Sequence, residues 1–286
     1  MLILHRQPSV LHFLLFVYAL ILTLVYFHTL SVVRYRDDQE LTPFVSPQTH
    51  LNNKVALPYG FMGTRHDVTV LLQLLSTFHW PTGTSCAVVG SSRELLYRRT
   101  GANIDGHDIV IRCNDAPIQG YEEHVGSKTT VRLFYPESMS LKCASQDGES
   151  SIHAMLAFKS ADVEWLRSAI LNLPLNKKQR FWKTPIDTRT VAKTVPVQRL
   201  RLVDPRFIQY GKDLIHSRPT TGLVAILVAI GMCDKVTAFG FDGYHINRLV
   251  HYYDNTTADV SATVHDFSAE RTLVNTFQKL NVISLG

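Results

Sequence analysis

Two histidines near the end of the chain are the side chains best suited to acid and base chemistry. His251 begins the sequence HYYD, and His265 begins the sequence HDFSAE. An imidazole changes its charge near neutral pH, so it can accept a proton at one stage of a reaction and donate one at another. The chain has 13 histidines, most of which must be surface or core residues. The pair therefore becomes a candidate site only if the fold brings a ligand to it.

Neither histidine lies in a pattern that is typical of a metal site. HExxH and CxxC spacings are absent around both of them. A D-x-D pair, which can hold a divalent cation on a nucleotide sugar, is also absent from the sequence. Asp105 and Asp108 have the wrong spacing for it, and Asp37 with Asp38 precedes the globular part. We expect a site that works without a metal ion.

The block CAVVGSSRE predicts a turn that can hold an anion. Its first four residues, Cys86 to Val89, form an apolar strand, and Gly90 turns the chain into a helix. Ser91 and Glu94 have the spacing of a capping box, and Gly101 can end the helix. Ser91 either contacts a phosphate or ribose or only caps this helix. The second and third glycines of G-x-G-x-x-G are missing, which disfavours a nicotinamide-dependent oxidoreductase.

The block PTTGLVAILVAIGM predicts a second anion site. Thr220 or Thr221 can cap a helix that runs from Gly222 to Met232. Gly222 lets a ligand approach the free N–H groups of the first turn. The helix has no charged face, so we expect it to be buried. Its positive end suits a carboxylate or a phosphate, and the two blocks together predict a phosphorylated ligand.

Strands and helices alternate along the rest of the globular region. Further β-rich runs occupy residues 107–114, 129–135, 152–159, 199–203, 235–241 and 282–285. Apolar residues at helical spacing are found over 67–78, 162–173 and 271–280. This alternation predicts a single α/β domain with a mostly parallel central sheet flanked by helices, in which ligands bind at the carboxyl ends of the strands.

The N-terminal part of the chain predicts a membrane anchor. Residues 10–33 carry no formal charge and are long enough to cross the roughly 30 Å hydrocarbon core of a bilayer. A cleaved signal peptide is the alternative, but its apolar stretch would be shorter and would end in small residues of the A-x-A type. We therefore expect a cytoplasmic tail at 1–9, a transmembrane helix at 10–33, a linker at 34–57 and a globular domain at 58–286.

Two further signals favour an oxidising lumen for the globular domain. Asn255, followed by Thr256 and Thr257, begins an N-glycosylation sequon, and the four cysteines can form disulfides. The formal net charge of +5 is mild, and no basic helix is interleaved with aromatic residues. We expect no nucleic-acid partner.

The order of the motifs resembles that of the animal-type sialyltransferases. CAVVGSS…DIVIRCNDAP…VGSKTTVRLFYPES is similar to the long sialyl motif and PTTG…CDKV…GFD to the short one. HYYD is similar to the third motif and H-x-x-x-x-E to the very short motif. LPYG at Leu57, FKSADVEWL from Phe158 and FWK at Phe181 resemble the β-galactoside α-2,3-sialyltransferase branch. The resemblance extends from about Leu57 to the C-terminus.

This resemblance implies a single-pass type II membrane enzyme of the Golgi, whose lumenal catalytic domain has a GT-A-like, Rossmann-type fold. The implied donor is CMP-sialic acid, and the implied acceptor is the 3-hydroxyl of a terminal β-galactose on a glycoprotein or glycolipid. The implied reaction inverts the anomeric carbon, makes an α-2,3 linkage and requires neither a metal nor another cofactor. The alternative is a relative that has lost catalysis and binds glycans at the membrane.

The resemblance also implies roles for individual residues. His265 becomes the general base that takes the proton from the galactose 3-hydroxyl, and His251 becomes the group that stabilises the departing CMP phosphate. The implied donor-binding positions are Ser91, Asn114, Thr220, Thr221, Gly222 and Gly240.

The remaining implied features are one covalent bond and one wall of the site. The resemblance pairs Cys86 with Cys233 in a disulfide and leaves Cys113 and Cys143 unassigned. The aromatic residues Trp182 and Tyr135 are candidates for a wall against the acceptor or the nucleotide.

Overall fold

A parallel β-sheet of seven strands forms the centre of the described fold. The computed structural model describes residues 83–176, 179–241, 250–255 and 264–286. Along the chain the strands are β1 (Ser85–Val89), β2 (Ile109–Cys113), β3 (Val131–Phe134), β4 (Ile152–Met155), β5 (Leu200–Leu202), β6 (Lys235–Phe239) and β7 (Ser284–Leu285). Their order in the sheet is β5-β4-β3-β2-β1-β6-β7, and every neighbouring pair is parallel. The predicted α/β fold with a parallel sheet is confirmed.

Helices connect the strands, as parallel pairing requires. The described α-helices are α1 (Gly101–Asp105), α2 (Glu122–Val125), α3 (Leu141–Gln146), α4 (Ser160–Ile170), α5 (Thr188–Thr194), α6 (Pro205–Ile215), α7 (Thr221–Met232) and α8 (Phe267–Lys279). Short 3₁₀ helices cover Arg93–Tyr97, Pro136–Ser138 and Val197–Arg199. Asp187, Asp204, Thr220 and Asp266 cap the helices that follow them, each with a side-chain oxygen on a backbone N–H.

The apolar helix α7 is buried, as its sequence predicts. It contacts β1, β2 and β6, so it covers one face of the sheet at its centre. From Leu223 to Ala229 every residue of α7 is at most 1% exposed. A helix without a polar face is stable only in such a place, because any exposed side would leave apolar surface in water.

The direction in which successive strands are added to the sheet reverses between β1 and β6. From β1 the chain adds β2 to β5 on one side, and it then crosses back to add β6 and β7 on the other. At this switch point the Gly90 N–H donates to the Phe239 carbonyl at 2.9 Å. A Cβ on Gly90 would lie 2.9 Å from the Gly240 oxygen, and Gly240 itself has φ of 76°. Only glycines allow the two strand ends to approach this closely, and ligands of such sheets bind in the crevice that follows.

The expected disulfide between Cys86 and Cys233 is present in the structure. It joins the start of β1 to the residue that follows α7, with the two Cα atoms 5.8 Å apart. Cys113 and Cys143 are free thiols, and both are buried. The bridge therefore fastens the end of the buried helix to the amino end of the central strand.

The sequence-based prediction was wrong for the segment that follows β1. A helix capped by Ser91 and ended by Gly101 was expected, but the cap is Ser92, the 3₁₀ helix covers only Arg93–Tyr97, and Gly101 begins α1. The reason is a distant partner: Ser92 forms an antiparallel bridge with His251, and the Ser91 carbonyl accepts from the Tyr252 N–H at 3.0 Å. This pairing keeps Ser91 extended, so no helix can begin there.

Two predicted helices lie outside the described residues, namely the one at 67–78 and the transmembrane helix at 10–33. The tail at 1–9 and the linker at 34–57 also lie outside them. Within the part that the structure describes, no helix is both long and apolar enough to span a bilayer.

We predict that loss of the disulfide destabilises the fold without abolishing it. Closing a loop of 147 residues removes conformational freedom from the unfolded chain, so replacing both Cys86 and Cys233 by Ala should lower the midpoint of thermal unfolding by roughly 10 °C. The measurement is calorimetry or far-UV circular dichroism with and without a reductant. A reductant that lowers the midpoint of the double variant as much as that of the unmodified protein would contradict this assignment.

Candidate active site

A cavity of about 400 Å³ opens at the carboxyl ends of β1, β2 and β3. Five of the predicted site residues line it: Ser91, Asn114, Tyr135, Trp182 and His251. The first three belong to separate blocks of the long motif, and they meet because the strands that precede them are neighbours in the sheet. The fold thus brings most of the long motif and the third motif to one place.

His251 is held at this cavity from two sides. Its own segment pairs with the chain after β1, where Arg93 N–H donates to the Val250 carbonyl at 3.1 Å. Its Nδ1 lies 3.0 Å from Asp254 Oδ2, and its ring stacks on Tyr253 with centroids 5.0 Å apart. Because the carboxylate accepts a hydrogen bond from Nδ1, Nε2 is the ring nitrogen that can act on a ligand.

Asn114 follows β2 in a left-handed conformation with φ of 55°, which asparagine tolerates better than most residues. Its carbonyl accepts from Arg132 Nη1 at 2.9 Å, and its Oδ1 accepts from Ser138 Oγ at 2.8 Å. Arg132 is buried, and Asp147 holds it with bonds of 2.7 and 2.9 Å. With Oδ1 occupied, the amide Nδ2 is the part of Asn114 that can donate to a ligand.

One wall of the cavity is aromatic. Tyr135 and Trp182 have ring centroids 5.4 Å apart, and Tyr135 also approaches Phe158 at 6.4 Å. The Arg218 guanidinium lies over the rings of Phe158 and Trp182, 4.3 Å from the first centroid and 5.5 Å from the second. Trp182 is 61% exposed, so it stands where the cavity opens to solvent. Such rings offer flat apolar faces to a sugar or a base.

His265 does not line the cavity but is connected to its aromatic wall through Arg218. Its Nδ1–H donates to the Arg218 carbonyl at 2.8 Å, which makes Nε2 the unprotonated nitrogen of the neutral ring. Burial lowers the pKa of the His265 imidazole, and the positive charge of Arg218 lowers it further against the opposing effect of the hydrogen bond. The neutral form, which a general base requires, is therefore favoured.

The carboxylate of Glu270 binds at the start of α7. Thr220 N–H and Oγ1–H donate to the two oxygens of Glu270 at 2.6 and 2.7 Å, and Glu270 is fully buried. Thr220 Oγ1 also caps the helix by accepting from Leu223 N–H at 3.1 Å. A Cβ on Gly222 would lie 2.9 Å from the Phe241 ring. The missing side chain of Gly222 therefore makes room for the Phe241 ring, which is a packing reason for a glycine at this position.

Four of the predicted donor-binding positions lie outside the lining of the cavity. Thr220, Thr221, Gly222 and Gly240 are not among the residues that line the cavity, and Thr221 is buried. A Cβ on Gly240 would meet Leu95 at 2.9 Å, so this glycine serves the strand crossing. Direct contact of these four residues with a donor stays a prediction.

The described residues contain no group of three or more His, Cys, Asp or Glu side chains that could hold a metal ion. Two aspartates considered for this role have backbone partners instead. Asp105 accepts from the N–H groups of Ser127 and Lys128, and Asp108 accepts from those of Thr84 and Ser85. These bonds make both carboxylates structural.

Comparison with known proteins decides the family. Residues 42–282 match the model of glycosyltransferase family 29, the sialyltransferases. The chain belongs to this family. It is 34% identical to the type 2 lactosamine α-2,3-sialyltransferase of Mus musculus, over 81% of this chain and 75% of that protein. It is 32% identical to the lactosylceramide α-2,3-sialyltransferase of Pan troglodytes, over 82% of this chain and 72% of that protein.

A solved structure supports the same conclusion for the fold. The crystal structure of a mammalian sialyltransferase matches with a TM-score of 0.66 and 25% identity, over 86% of this chain and 90% of that one. The predicted family resemblance is confirmed.

Three residues of this sialyltransferase site were missed by sequence reasoning. Asp254 stands three positions after His251, and Glu270 stands five after His265, so both were visible in HYYD and HDFSAE as possible partners. Arg218 directly precedes PTTG and carries no motif signal of its own, because its role depends on a backbone carbonyl and on distant aromatic rings.

We predict that Arg218 keeps the pKa of His265 low through its charge. Replacing Arg218 by Met should raise the pKa of the His265 imidazole, whereas the matched Arg218→Lys variant should leave it nearly unchanged. The measurement is a pH titration of the ring resonances in labelled protein, with His265→Gln to assign them. Equal pKa values in all three proteins would show that burial alone controls the ring.

Proposed function

We propose that this protein is an inverting, metal-independent sialyltransferase that moves sialic acid from CMP-sialic acid to the 3-hydroxyl of a terminal β-galactose. Its membership of family 29 and the α-2,3 linkage in the names of both relatives support this proposal. The observation that carries the mechanism is the bond from His265 Nδ1–H to the Arg218 carbonyl, because it leaves Nε2 as the acceptor of a proton.

The base acts on the acceptor. As the galactose 3-oxygen attacks the anomeric carbon of sialic acid, Nε2 of His265 takes up the proton of that hydroxyl. The bond from the anomeric carbon to the phosphate oxygen of CMP breaks with its electron pair on the phosphate. Attack from the side opposite the leaving group inverts the anomeric centre in one displacement, so no covalent enzyme intermediate is needed.

The leaving group needs hydrogen-bond donors, because negative charge accumulates on the phosphate in the transition state. His251 Nε2, when the ring is protonated, and Asn114 Nδ2 are donors on the cavity wall, and the Ser91 hydroxyl lines the same cavity. Asp254 orients the His251 ring through the hydrogen bond at Nδ1, so that Nε2 is the ring nitrogen directed to the leaving group. The same residues would hold the donor before reaction, and Tyr135 with Trp182 would form the wall against the acceptor or the nucleotide.

A glycan-binding relative without catalysis is the second candidate. Trp182 and Tyr135 favour it as much as they favour an enzyme, since aromatic walls bind sugars in either case. The two candidates differ at His265, whose tautomer matters for proton transfer and not for glycan binding. The acceptor is expected on glycoproteins or glycolipids, as the names of the two relatives suggest.

We predict that the full-length protein in detergent transfers sialic acid to lactose or N-acetyllactosamine with α-2,3 linkage, and that EDTA does not stop it. His265→Ala should lower turnover roughly 100-fold to 10,000-fold while binding of CMP survives, because the lost group acts in the transition state. The matched control is His216→Asn, a change at an exposed histidine in a left-handed conformation that asparagine accepts. Folded protein that transfers to neither acceptor would exclude the enzyme, and near-normal turnover of the His265→Ala variant would remove this residue from the mechanism.

We also propose that the protein is a single-pass type II protein of the Golgi membrane, with residues 10–33 as its anchor and residues 58–286 in the lumen. Asn255 is exposed, as a glycosylation acceptor must be. In intact vesicles a protease should leave the catalytic domain uncut until detergent is added. A glycosidase should increase the gel mobility of the protein but not that of the Asn255→Gln variant. Digestion of the catalytic domain in sealed vesicles would contradict this topology.

A further inference from the structure

Glu137 is a buried carboxylate at the cavity that the mechanism does not use. It lies in the 3₁₀ helix Pro136–Ser138, directly after β3, and it lines the cavity beside Tyr135 and Ser138. Its side chain is only 1% exposed. One oxygen, Oε1, accepts from Lys159 Nζ at 3.0 Å. The other oxygen, Oε2, is buried and has no hydrogen-bond partner among the residues that the structure describes.

An unpaired carboxylate oxygen is costly in a folded protein, because it has lost its water without gaining a donor. Lys159 does not fully compensate Glu137, since the same ammonium also bonds Asp162 Oδ1. Burial raises the pKa of both carboxyl groups, against the opposing effect of Lys159. The three side chains carry one more negative charge than positive when both carboxylates are ionised. The carboxylate of Glu137 therefore suits a hydroxyl donor better than it suits the phosphate or the carboxylate of CMP-sialic acid.

Glu137 and Ser91, one of the proposed ligands of the phosphate, lie on opposite sides of Asn114 along the edge formed by the ends of β1, β2 and β3. Glu137 follows β3, whereas Ser91 follows β1, two strands away. Adjacent strands are about 4.8 Å apart, so the two strand ends are separated by roughly 10 Å. This distance is on the scale of a nucleotide phosphate and a neighbouring sugar ring bound side by side.

The same end of the cavity is connected to the proposed base. Tyr135, two residues before Glu137, contacts Trp182 with ring centroids 5.4 Å apart. Trp182 lies under the Arg218 guanidinium, and the Arg218 carbonyl holds His265 at 2.8 Å. A sugar that presents its hydroxyl to His265 would meet this wall. Aromatic faces for the apolar side of the ring and a charged acceptor for its hydroxyls together suit a neutral sugar.

We infer that Glu137 accepts, through Oε2, a hydrogen bond from a hydroxyl of the terminal galactose other than the reacting 3-hydroxyl. Glu137 is then a residue that determines acceptor specificity, with Tyr135 and Trp182 as the stacking surface. This inference rests on the proposed function, because it takes the acceptor to be a β-galactoside.

The test measures the steady-state kinetics of full-length protein in detergent with lactose and with lactosides that each lack one galactose hydroxyl other than the reacting 3-hydroxyl. Glu137→Gln and Glu137→Ala should raise KM for lactose on the order of 10-fold to 100-fold, because a charged hydrogen bond to the substrate is lost. KM for CMP-sialic acid should stay within about twofold. One deoxy lactoside should react equally poorly with the unmodified protein and with both variants, which identifies the hydroxyl that Glu137 binds.

Lys159→Met is the matched control, because it removes the partner of Oε1 and leaves Oε2 in place. If Glu137 only stabilises the fold, Lys159→Met and Glu137→Gln should lower the thermal unfolding midpoint alike and should not discriminate among the deoxy lactosides. That result would overturn the inference, and so would a rise in KM for CMP-sialic acid with an unchanged acceptor KM.

Direct binding separates this inference from the proposed function. Saturation-transfer NMR with lactose needs no turnover, so it reports on Glu137 even if the protein proves inactive. Weaker lactose binding by Glu137→Gln without any transfer by the unmodified protein would overturn the proposed catalysis and support the acceptor contact. Normal transfer with unchanged lactose binding and unchanged acceptor KM in both Glu137 variants would overturn the contact alone.

Discussion

A buried carboxylate fixes the geometry of the site. Glu270 in α8 is fully buried and receives both donors of Thr220, which stands at the start of α7. Hydrogen bonds to a charged group contribute about 1.5 to 3 kcal/mol, and a buried carboxylate that loses its donors costs more. The alternative arrangements of these two helices are therefore strongly disfavoured. His265 lies just before α8 and Arg218 just before Thr220, so this one contact brings the proposed base to the carbonyl that sets its tautomer.

The rest of the fold gives that contact a rigid support. α7 is buried against the central strands, and the disulfide joins its end to β1. Its start therefore cannot shift relative to the carboxyl ends of the strands, where the cavity lies. The second histidine is attached to the same strand by different means, through the pairing of residues 250–252 with residues 91–93. Both candidate catalytic histidines are thus positioned relative to β1, although they come from separate motifs.

The parts that could be predicted from sequence are those in which local pattern and final environment agree. All seven strands were expected, because buried parallel strands are short apolar runs, and α7 was expected from its lack of a polar face. The prediction failed where a distant partner overrides the local pattern. Ser91 has a good capping-box spacing, yet pairing with the segment of His251 keeps it extended. The packing of the Phe241 ring against Gly222 is likewise a distant contact that the sequence pattern does not indicate.

Most contacts of the site residues could not be predicted, because they join positions far apart in sequence. The contacts of Arg132 are an example, and they orient Asn114, one of the predicted donor-binding residues. Arg132 is 2% exposed, neutralised by Asp147, and donates to the carbonyls of Asn114 and Ala116 at 2.9 and 3.0 Å. These bonds hold the left-handed turn after β2 from beneath, so the amide of Asn114 is oriented without help from a ligand. Orientation before binding reduces the conformational entropy that a ligand must overcome. Asp147 neutralises Arg132, and the polar and charged groups on the cavity wall include Asn114, His251, Asp115, Lys183 and Glu137.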